Sequence, residues 1–230
     1  MHQRKSKKIL IYFFLLLLVG TINNSKINNY KFDKIKNINV SGLENYENQF
    51  LIKDIKRLEL KNIFNLNEKK IVNTIEKNTL IESYKVQKKY PSTIDIKVLR
   101  TQILAKTFKD GKIYFIGSNG KLIEESNIYE ELPFIFGKPN ISEFLKFKKI
   151  IDNSKISYEN IKSLFFFRTK RWDIELKNNI LIKLSRDNVE KALDNVYLFL
   201  DKENDNSIKI IDARIQNQII TNEWRFRNRN

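Results

Sequence analysis

The chain has 230 residues, of which 41% are hydrophobic and 12% aromatic, a composition typical of a folding sequence and not of a disordered one. It contains no cysteine, which excludes disulfide bonds and thiolate metal sites. Its one histidine is His2, so most enzyme classes are excluded, because a Ser-His-Asp triad, a Cys-His pair or a His-ligated zinc site cannot form in the body of the chain.

The net charge is +16, from 43 Lys and Arg against 27 Asp and Glu. A charge of this size can attract polyanions or an anionic membrane surface. The cations are dispersed, however, and no motif for RNA or DNA binding accompanies them. Abundant Lys, Asn and Ile are also expected from an AT-rich genome. We therefore favour codon bias as the source of the charge and do not expect nucleic acid as a partner.

An uncharged apolar run near the N-terminus begins at Ile9, directly after four cations between Arg4 and Lys8. A cationic cluster followed by an apolar run predicts an export signal. As a helix, Ile9–Ile22 would span only about 21 Å against about 30 Å of hydrocarbon, so its length fits a signal peptide as well as an anchor. Because no A-x-A-like cleavage site follows, we favour an uncleaved transmembrane anchor.

Two helices and three strands are predicted between Phe32 and Thr101. Apolar residues alternate in two short segments, as in strands with one buried face. Two other segments have the spacing of a helix with one apolar face. The predicted order is strand, helix, helix, strand, strand: Ile38–Val40, a helix capped by Asn48, a helix from Asn67 to Asn78, and strands Ile81–Lys88 and Thr93–Leu99 joined by Tyr90-Pro91-Ser92.

The rest of the chain alternates short strands with turn residues. Asp110-Gly111 and Asn119-Gly120 favour hairpins, because both central residues of a type I′ turn need positive φ. The predicted elements are strands Ile103–Phe108, Ile113–Ile116 and Leu122–Ile123, a helix Ser142–Ile151, strands Phe165–Phe167, Arg171–Leu176 and Ile180–Leu184, a helix capped by Ser185 that contains Val189, Leu193, Val196 and Leu200, and strands Ile208–Ile211 and Ile215–Thr221.

Two charged pairs and two tryptophans are candidate functional residues. Asp173 and Glu175 lie two apart on a predicted strand and share a face, as a glycosidase pair could, but such charges more often lie on a solvated face. Asp212 and Arg214 also share a face, and we favour a structural ion pair or a pin for strand register over a functional site. Trp172 is more typical of a core. Trp224 stands in a basic tail, which is a disordered end, a membrane-surface contact or part of a partner site.

The order of these motifs resembles one family. The segment Ile38-x-Val40-x-Gly42-Leu43, the two helices, and Tyr90-Pro91-Ser92-Thr93-Ile94 resemble a POTRA (polypeptide-transport-associated) domain. An anchor with such a domain behind it resembles the bacterial cell-division family FtsQ/DivIB. Further segments resemble that family's second domain: Gly120-Lys121-Leu122-Ile123, Leu132-Pro133-Phe134-Ile135-Phe136-Gly137, Arg171-Trp172-Asp173-Ile174-Glu175-Leu176 and Asp212-Ala213-Arg214.

The resemblance implies an α+β fold: a single N-terminal transmembrane helix, a POTRA-like β-α-α-β-β domain, then a mixed α/β domain built on a largely antiparallel sheet. The implied organisation is a cytoplasmic tail at 1–8, the anchor at 9–22, a linker at 23–31, the POTRA-like domain at 32–101, the FtsQ-type β domain at 102–222 and a basic tail at 223–230.

The resemblance also implies a function: a non-catalytic, bitopic scaffold of the division machinery at the septum, without a cofactor or metal. Its N-terminus would be cytoplasmic and its domains periplasmic, on the outer side of the inner membrane. The POTRA-like domain would contact other division proteins of the membrane. The closing strand would lie at a sheet edge and recruit bitopic proteins like FtsB and FtsL, with contacts at Ile215, Asn217, Gln218 and Ile219.

Two alternatives belong to other classes. A POTRA-bearing receptor in protein export or envelope assembly is the first, although the chain lacks the many alternating segments of roughly ten residues that a membrane barrel needs. A wall-binding or wall-cutting enzyme is the second, and the absence of a histidine beyond His2 argues against it.

Overall fold

The computed structural model describes residues 4–22, 34–124, 131–202 and 208–221. The predicted linker and the tail with Trp224 lie outside these residues. The apolar run belongs to the first helix, α1 (Arg4–Ile22), and its side chains from Ile9 to Val19 are exposed. In the described part of the chain, no helix combines the length and the apolar composition needed to cross a membrane.

The first folded unit has the predicted order of elements. It contains β1 (Asn37–Ser41), α2 (Asn45–Lys56), α3 (Glu68–Lys77), β2 (Ile81–Lys89) and β3 (Thr93–Arg100). The sheet has the order β1-β3-β2, with β1 parallel and β2 antiparallel to the central strand. The long β2–β3 hairpin therefore supplies two of the three strands, and β1 lies beside β3 on the side opposite to β2.

The core of this unit lies between the sheet and the two helices. Alternation in β3 turns Ile94, Ile96 and Val98 inward, and each is at most 8% exposed. This confirms the predicted register of the strand. Each helix contributes two apolar residues spaced four apart, which are Leu51 and Ile55 in α2 and Ile71 and Ile75 in α3.

The predicted cap of α2 is wrong. The helix begins at Asn45, and its N-cap is Glu44, whose backbone N–H donates to the Glu47 carboxylate at 3.0 Å. This capping box satisfies the first unpaired backbone N–H groups of the helix four residues earlier than predicted. Asn48 lies inside the helix, and its side-chain amide donates to the Leu43 carbonyl at 2.9 Å.

The second folded unit is built on a nine-stranded sheet. The elements in chain order are β4 (Ile103–Lys109), β5 (Lys112–Gly117), β6 (Leu122–Ile123), β7 (Phe134–Phe136), α4 (Ile141–Asn153), β8 (Ile161–Phe166), β9 (Trp172–Leu176), β10 (Leu181–Leu184), α5 (Val189–Lys202), β11 (Ile210–Ala213) and β12 (Ile220–Thr221). The strand order is β12-β11-β10-β9-β8-β7-β4-β5-β6. Five neighbouring pairs are antiparallel and three are parallel.

One face of this sheet packs against α4 and α5. Trp172 is 6% exposed and stacks on Phe147 of α4 with 4.6 Å between ring centroids, which confirms its predicted place in the core. Leu193 and Val196 of α5 are fully buried in the same cluster. The helices therefore cover one side of the strands and leave the other side to polar and aromatic residues.

Two predicted turns have different outcomes. Asp110 and Gly111 have φ of +48° and +82°, as the hairpin between β4 and β5 requires. At the second turn Gly120 has φ of +74°, but Asn119 does not have positive φ. Asn119 instead uses its side chain to contact the first unit.

A polar joint connects the two units. The side-chain amide of Asn119 donates to the backbone carbonyls of Thr79 and Ile81, both at 2.9 Å. The Ser118 hydroxyl donates to the Glu82 carboxylate at 2.7 Å. Lys121 adds a hydrogen bond to the Asn78 carbonyl at 3.1 Å. These bonds hold the loop after β5 against the start of β2.

Several element boundaries differ from the predictions in the last third of the chain. The strand predicted at Phe165–Phe167 begins at Ile161. Ser185 does not cap α5, because its hydroxyl donates to the carbonyl of Asp187 in a turn and the helix begins at Val189. Ser and Asp compete with helix formation by such local bonds.

Candidate partner-binding edge

The C-terminal strand is an edge strand. β11 lies parallel to β10, and β12 lies antiparallel to β11 at the end of the nine-stranded sheet. Among the described residues, no strand pairs with the outer side of β12. An edge of this kind presents unpaired backbone donors and acceptors, which another extended chain can use.

The predicted length of this strand is wrong, because only Ile220 and Thr221 form β12. β11 ends where the Asp212 carboxylate accepts a hydrogen bond from the Arg214 backbone N–H at 3.1 Å. Asn217 then has φ of +60°, a left-handed conformation that a strand does not contain. These local bonds and angles replace the predicted strand by a loop from residue 214 to residue 219.

The four predicted contact residues therefore lie in or beside this loop. Ile215 is 53% exposed, and its carbonyl accepts a hydrogen bond from Gln218 N at 3.2 Å. Asn217 and Gln218 are exposed. Ile219 is half-buried against the core, directly before β12. The structure thus groups all four next to the edge but places none of them in the strand.

A small cavity of about 200 Å³ adjoins the loop. It lies between the start of α5 and the segment after β11. Its lining is mixed polar and apolar and includes Asn188, Lys191 and Asn195 on one side and Arg214, Ile215 and Gln218 on the other. A chain docked along β12 would have this cavity beside it for one side chain.

A row of charges crosses the open face of the sheet toward the edge. Asp173 of β9 is opposite Lys183 of β10, Lys183 is opposite Asp212 of β11, and Asp212 is opposite Ile220 of β12. Their neighbours along the strands are core residues, so alternation directs these side chains away from the helices. The row ends at Ile220, which is 53% exposed.

The two carboxylates of the row have opposite electrostatic environments. Asp173 is 3% exposed, and burial raises its pKa although Arg171 lies 3.2 Å away and acts against the shift. At Asp212 the hydrogen bond from Arg214, 2.8 Å between Nε and Oδ1, lowers the pKa. The predicted ion pair of Asp212 and Arg214 is confirmed.

The prediction for Asp173 and Glu175 is partly wrong. They share a face, but Asp173 is buried rather than solvated and accepts a hydrogen bond from the Leu184 backbone N–H at 3.3 Å. Glu175 pairs with Lys162 at 2.9 Å. Sequence reasoning missed Lys183, and only strand register brings Lys183 and Ile220 into the row.

The first unit also has an edge strand. β2 contains nine residues and pairs with β3 on one side, and no other described strand lies on its outer side. Its exposed side chains include Glu82, Ser83 and Lys85. Each of the two sheets therefore has an edge strand, β2 in the first unit and β12 in the second.

Comparison with known proteins agrees with this architecture. The model "POTRA domain, FtsQ-type" matches residues 33–99, and the model "Cell division protein FtsQ/DivIB, C-terminal" matches residues 107–214. The fold and these matches define a protein that carries a POTRA domain in front of a β domain. The chain belongs to the FtsQ/DivIB family, and the relatives that it matches are named cell division proteins.

Two relatives show how far the similarity extends. The chain is 26% identical over 168 residues to the cell division protein FtsQ of Rickettsia bellii, and the match covers 70% of this chain but only 60% of that protein. It is 26% identical over 219 residues to the cell division protein DivIB of Clostridium botulinum, with 87% and 84% covered. These names favour division over the export-receptor alternative.

A solved structure is a weaker match. The major extracytoplasmic domain of the cell division protein DivIB from Geobacillus stearothermophilus is 8% identical, and the match covers 46% of this chain and 98% of that one with a TM-score of 0.33. A likeness at this level carries no argument.

Proposed function

We propose that this chain is a non-catalytic scaffold of the division machinery, anchored in the inner membrane by α1 with both folded units on its outer side at the septum. Support for the anchor comes from the apolar run that begins at Ile9 and from the cations that precede it, a pattern that keeps the N-terminus in the cytoplasm. A helix with exposed apolar side chains around its whole circumference fits a lipid environment.

The single observation that carries the binding function is the edge of β12, on whose outer side no described strand pairs. Strand addition gives affinity through backbone hydrogen bonds and specificity through alternate side chains. The proposed partners are bitopic division proteins like FtsB and FtsL, which would add a strand to this edge. Ile215 and Ile220 are both 53% exposed and supply apolar surface, and Ile215 also lines the cavity beside the loop.

The row of charges places charged side chains beside this edge, and the charges of a partner strand must be compatible with them. Arg214 is 46% exposed and paired with Asp212, whereas Lys183 lies between two carboxylates in the register. A docked strand that carries a carboxylate near Arg214 would compete for its guanidinium, since Arg binds carboxylates in a bidentate geometry. Charge on the partner would therefore set register more than affinity.

For the POTRA-like domain, we propose contacts with other division proteins of the membrane through the outer edge of β2. The strand is long enough to pair with an extended segment, and lysines along it are typical of an edge that is protected from nonspecific pairing.

Two proline variants test the binding function at β12. In an antiparallel pair one residue directs its backbone groups to its partner strand and the next directs them to the other side. Proline removes one N–H. Of Ile220→Pro and Thr221→Pro, one should abolish binding of the partner with an unchanged melting temperature, and the other should lower the melting temperature.

The matched control is Ile220→Ala, which keeps the N–H and should retain most of the binding. The measurements are a pull-down of FtsB- and FtsL-like proteins with the full chain in detergent, and thermal unfolding of the same samples. If both proline variants still bind the partners as wild type does, the edge of β12 is not the docking site.

A further inference from the structure

Three segments of the chain meet at one end of the first unit. Lys34 pairs with Asn62 in an antiparallel bridge, and Lys36 N donates to the Ser92 carbonyl at 2.9 Å. The chain enters the unit here, since β1 follows at once. This surface is called the entry end below and consists of Lys34–Lys36, Lys61–Asn65 and Tyr90–Ser92.

The entry end carries a pair of exposed aromatic rings. The centroids of Phe64 and Tyr90 lie 5.2 Å apart at an interplanar angle of 42°. Phe64 is 53% exposed and Tyr90 is 62% exposed. The two rings belong to different segments, so the fold of the unit brings them together. Aromatic side chains are enriched at membrane–water interfaces, where the ring is apolar and a Tyr hydroxyl stays in the head-group layer.

Two lysines belong to the segments that form the entry end. Lys34 and Lys61 are exposed, and neither forms an ion pair with any residue that the structure describes. Two other lysines beside the β2–β3 turn pair with carboxylates, Lys88 with Glu68 and Lys89 with Asp95. The rings therefore lie next to net positive charge, the combination that binds an anionic lipid surface.

The length of the chain keeps this end close to the proposed anchor. Eleven residues, 23–33, separate Ile22 from Lys34. A segment of that length reaches at most about 40 Å, whatever its conformation. Residues 23–33 form the tether between α1 and the entry end. If α1 lies in the membrane, this tether holds the entry end nearer to the lipid surface than any other part of the folded chain.

We propose that the entry end docks on anionic lipid, with the rings of Phe64 and Tyr90 in the interface and with Lys34 and Lys61 on the head groups. This inference rests on the proposed membrane anchor. Docking fixes one end of the first unit against the bilayer, and the unit then cannot rotate freely on its tether. The opposite end of β3, which carries Leu99, faces away from the lipid.

The absence of cysteine makes a direct test possible, because one introduced cysteine is the only labelling site. Full-length Phe64→Cys, Tyr90→Cys and Leu99→Cys variants are labelled with an environment-sensitive dye and reconstituted at one copy per nanodisc. Leu99 is the matched control, since it is 60% exposed, apolar and about 23 Å along the strand from Ser92.

Dye at positions 64 and 90 should shift to the blue in discs with anionic lipid, and dye at position 99 should not. The shift should be lost when Lys34→Glu and Lys61→Glu are added, and it should weaken at high salt because exposed charges are screened. Equal shifts at all three positions, or no shift at 64 and 90 in inserted protein, would overturn the docking. Failure of the chain to co-float with the bilayer would overturn the anchor itself, so the two failures are distinct.

Discussion

Asn119 and Ile81 belong to different folded units, yet the side-chain amide of Asn119 donates a 2.9 Å hydrogen bond to the backbone carbonyl of Ile81. The same amide donates to the carbonyl of Thr79, so one side chain satisfies two acceptors of the other unit. A joint of this kind fixes the angle between the two units because both bonds must break before the loop can move.

The first prediction is that Asn119→Ala loosens this joint. Removal of the donor leaves two partly buried carbonyls unsatisfied, which costs about 1–3 kcal/mol. Spin labels at Lys97→Cys and Lys109→Cys, one in each unit, should give a broader distance distribution by electron paramagnetic resonance. Asn39→Ala is the matched control, because its 2.8 Å bond to Asp95 lies within the first unit and is exposed. The joint is not rigid if Asn119→Ala leaves the distribution as narrow as this control does.

The second prediction concerns the core of the first unit. Ile96 is 1% exposed, so Ile96→Ala should lower the free energy of unfolding by about 2–5 kcal/mol. Lys97 is exposed on the other face of the strand, and Lys97→Ala should change it by at most about 0.5 kcal/mol. Urea unfolding of both variants checks the pair. Similar losses at the two positions would contradict the packing described for β3.

The third prediction uses the two carboxylates of the charge row. The pKa of Asp212 is lowered in the folded protein, so its contribution is present above its unfolded pKa near 3.8 and is lost as pH falls through the lower folded value. The pKa of Asp173 is raised, so folded protein binds the proton more tightly, and stability falls as pH rises from 3.8 through the raised value.

Asp212→Asn should therefore lose more stability, relative to wild type, at about pH 6 than at about pH 3. Asp173→Asn should show the opposite trend. Urea unfolding of both variants and wild type at the two pH values measures the difference. The same sign for both variants would show that burial does not dominate at Asp173.

The fourth prediction tests the anchor in cells. At the centre of a membrane helix, Leu16→Arg should cost about 2.5–3.5 kcal/mol, and insertion of so short an apolar run should fail. Leu16→Phe keeps the apolar character and should insert as wild type does. Membrane flotation and protease access to the C-terminal units provide the measurement. A Leu16→Arg protein that stays in the membrane with those units outside would rule out α1 as the anchor.

The elements with strict periodicity were predictable from sequence, and those that depend on local side-chain bonds were not. Alternation in Ile94–Val98 identified β3 and its buried face, and Asp110-Gly111 identified the first hairpin, because each pattern reflects backbone geometry alone. The prediction of the closing strand was wrong because local side-chain bonds and backbone angles determine the structure there. Ile215, Ile219 and Ile220 suggested one strand, but the Asp212 carboxylate ends β11 and Asn217 turns the chain.

The candidate edge was predictable only in its place in the chain. Strand character near the C-terminus indicated an edge, and the structure places β12 at the end of the sheet. The row of charges from Asp173 to Ile220 could not be predicted. It depends on β11 pairing in parallel with β10, although α5 separates the two strands in the chain. A pattern within one strand contains no information about which residue of a distant strand lies opposite.

The insertion of β7 has a mechanical consequence. β7 has three residues, and only two pairs, Lys106 with Phe134 and Thr107 with Ile135, join it to β4. The β4–β5 hairpin, which follows the first unit in the chain, lies on one side of the boundary between β4 and β7. β12 and the row of charges lie on the other side. A pull between the membrane end of the chain and a partner held at β12 would load these two pairs before most of the sheet. The ladder between β11 and β12 also has only two pairs. Tension would therefore divide the sheet first at one of these two short ladders.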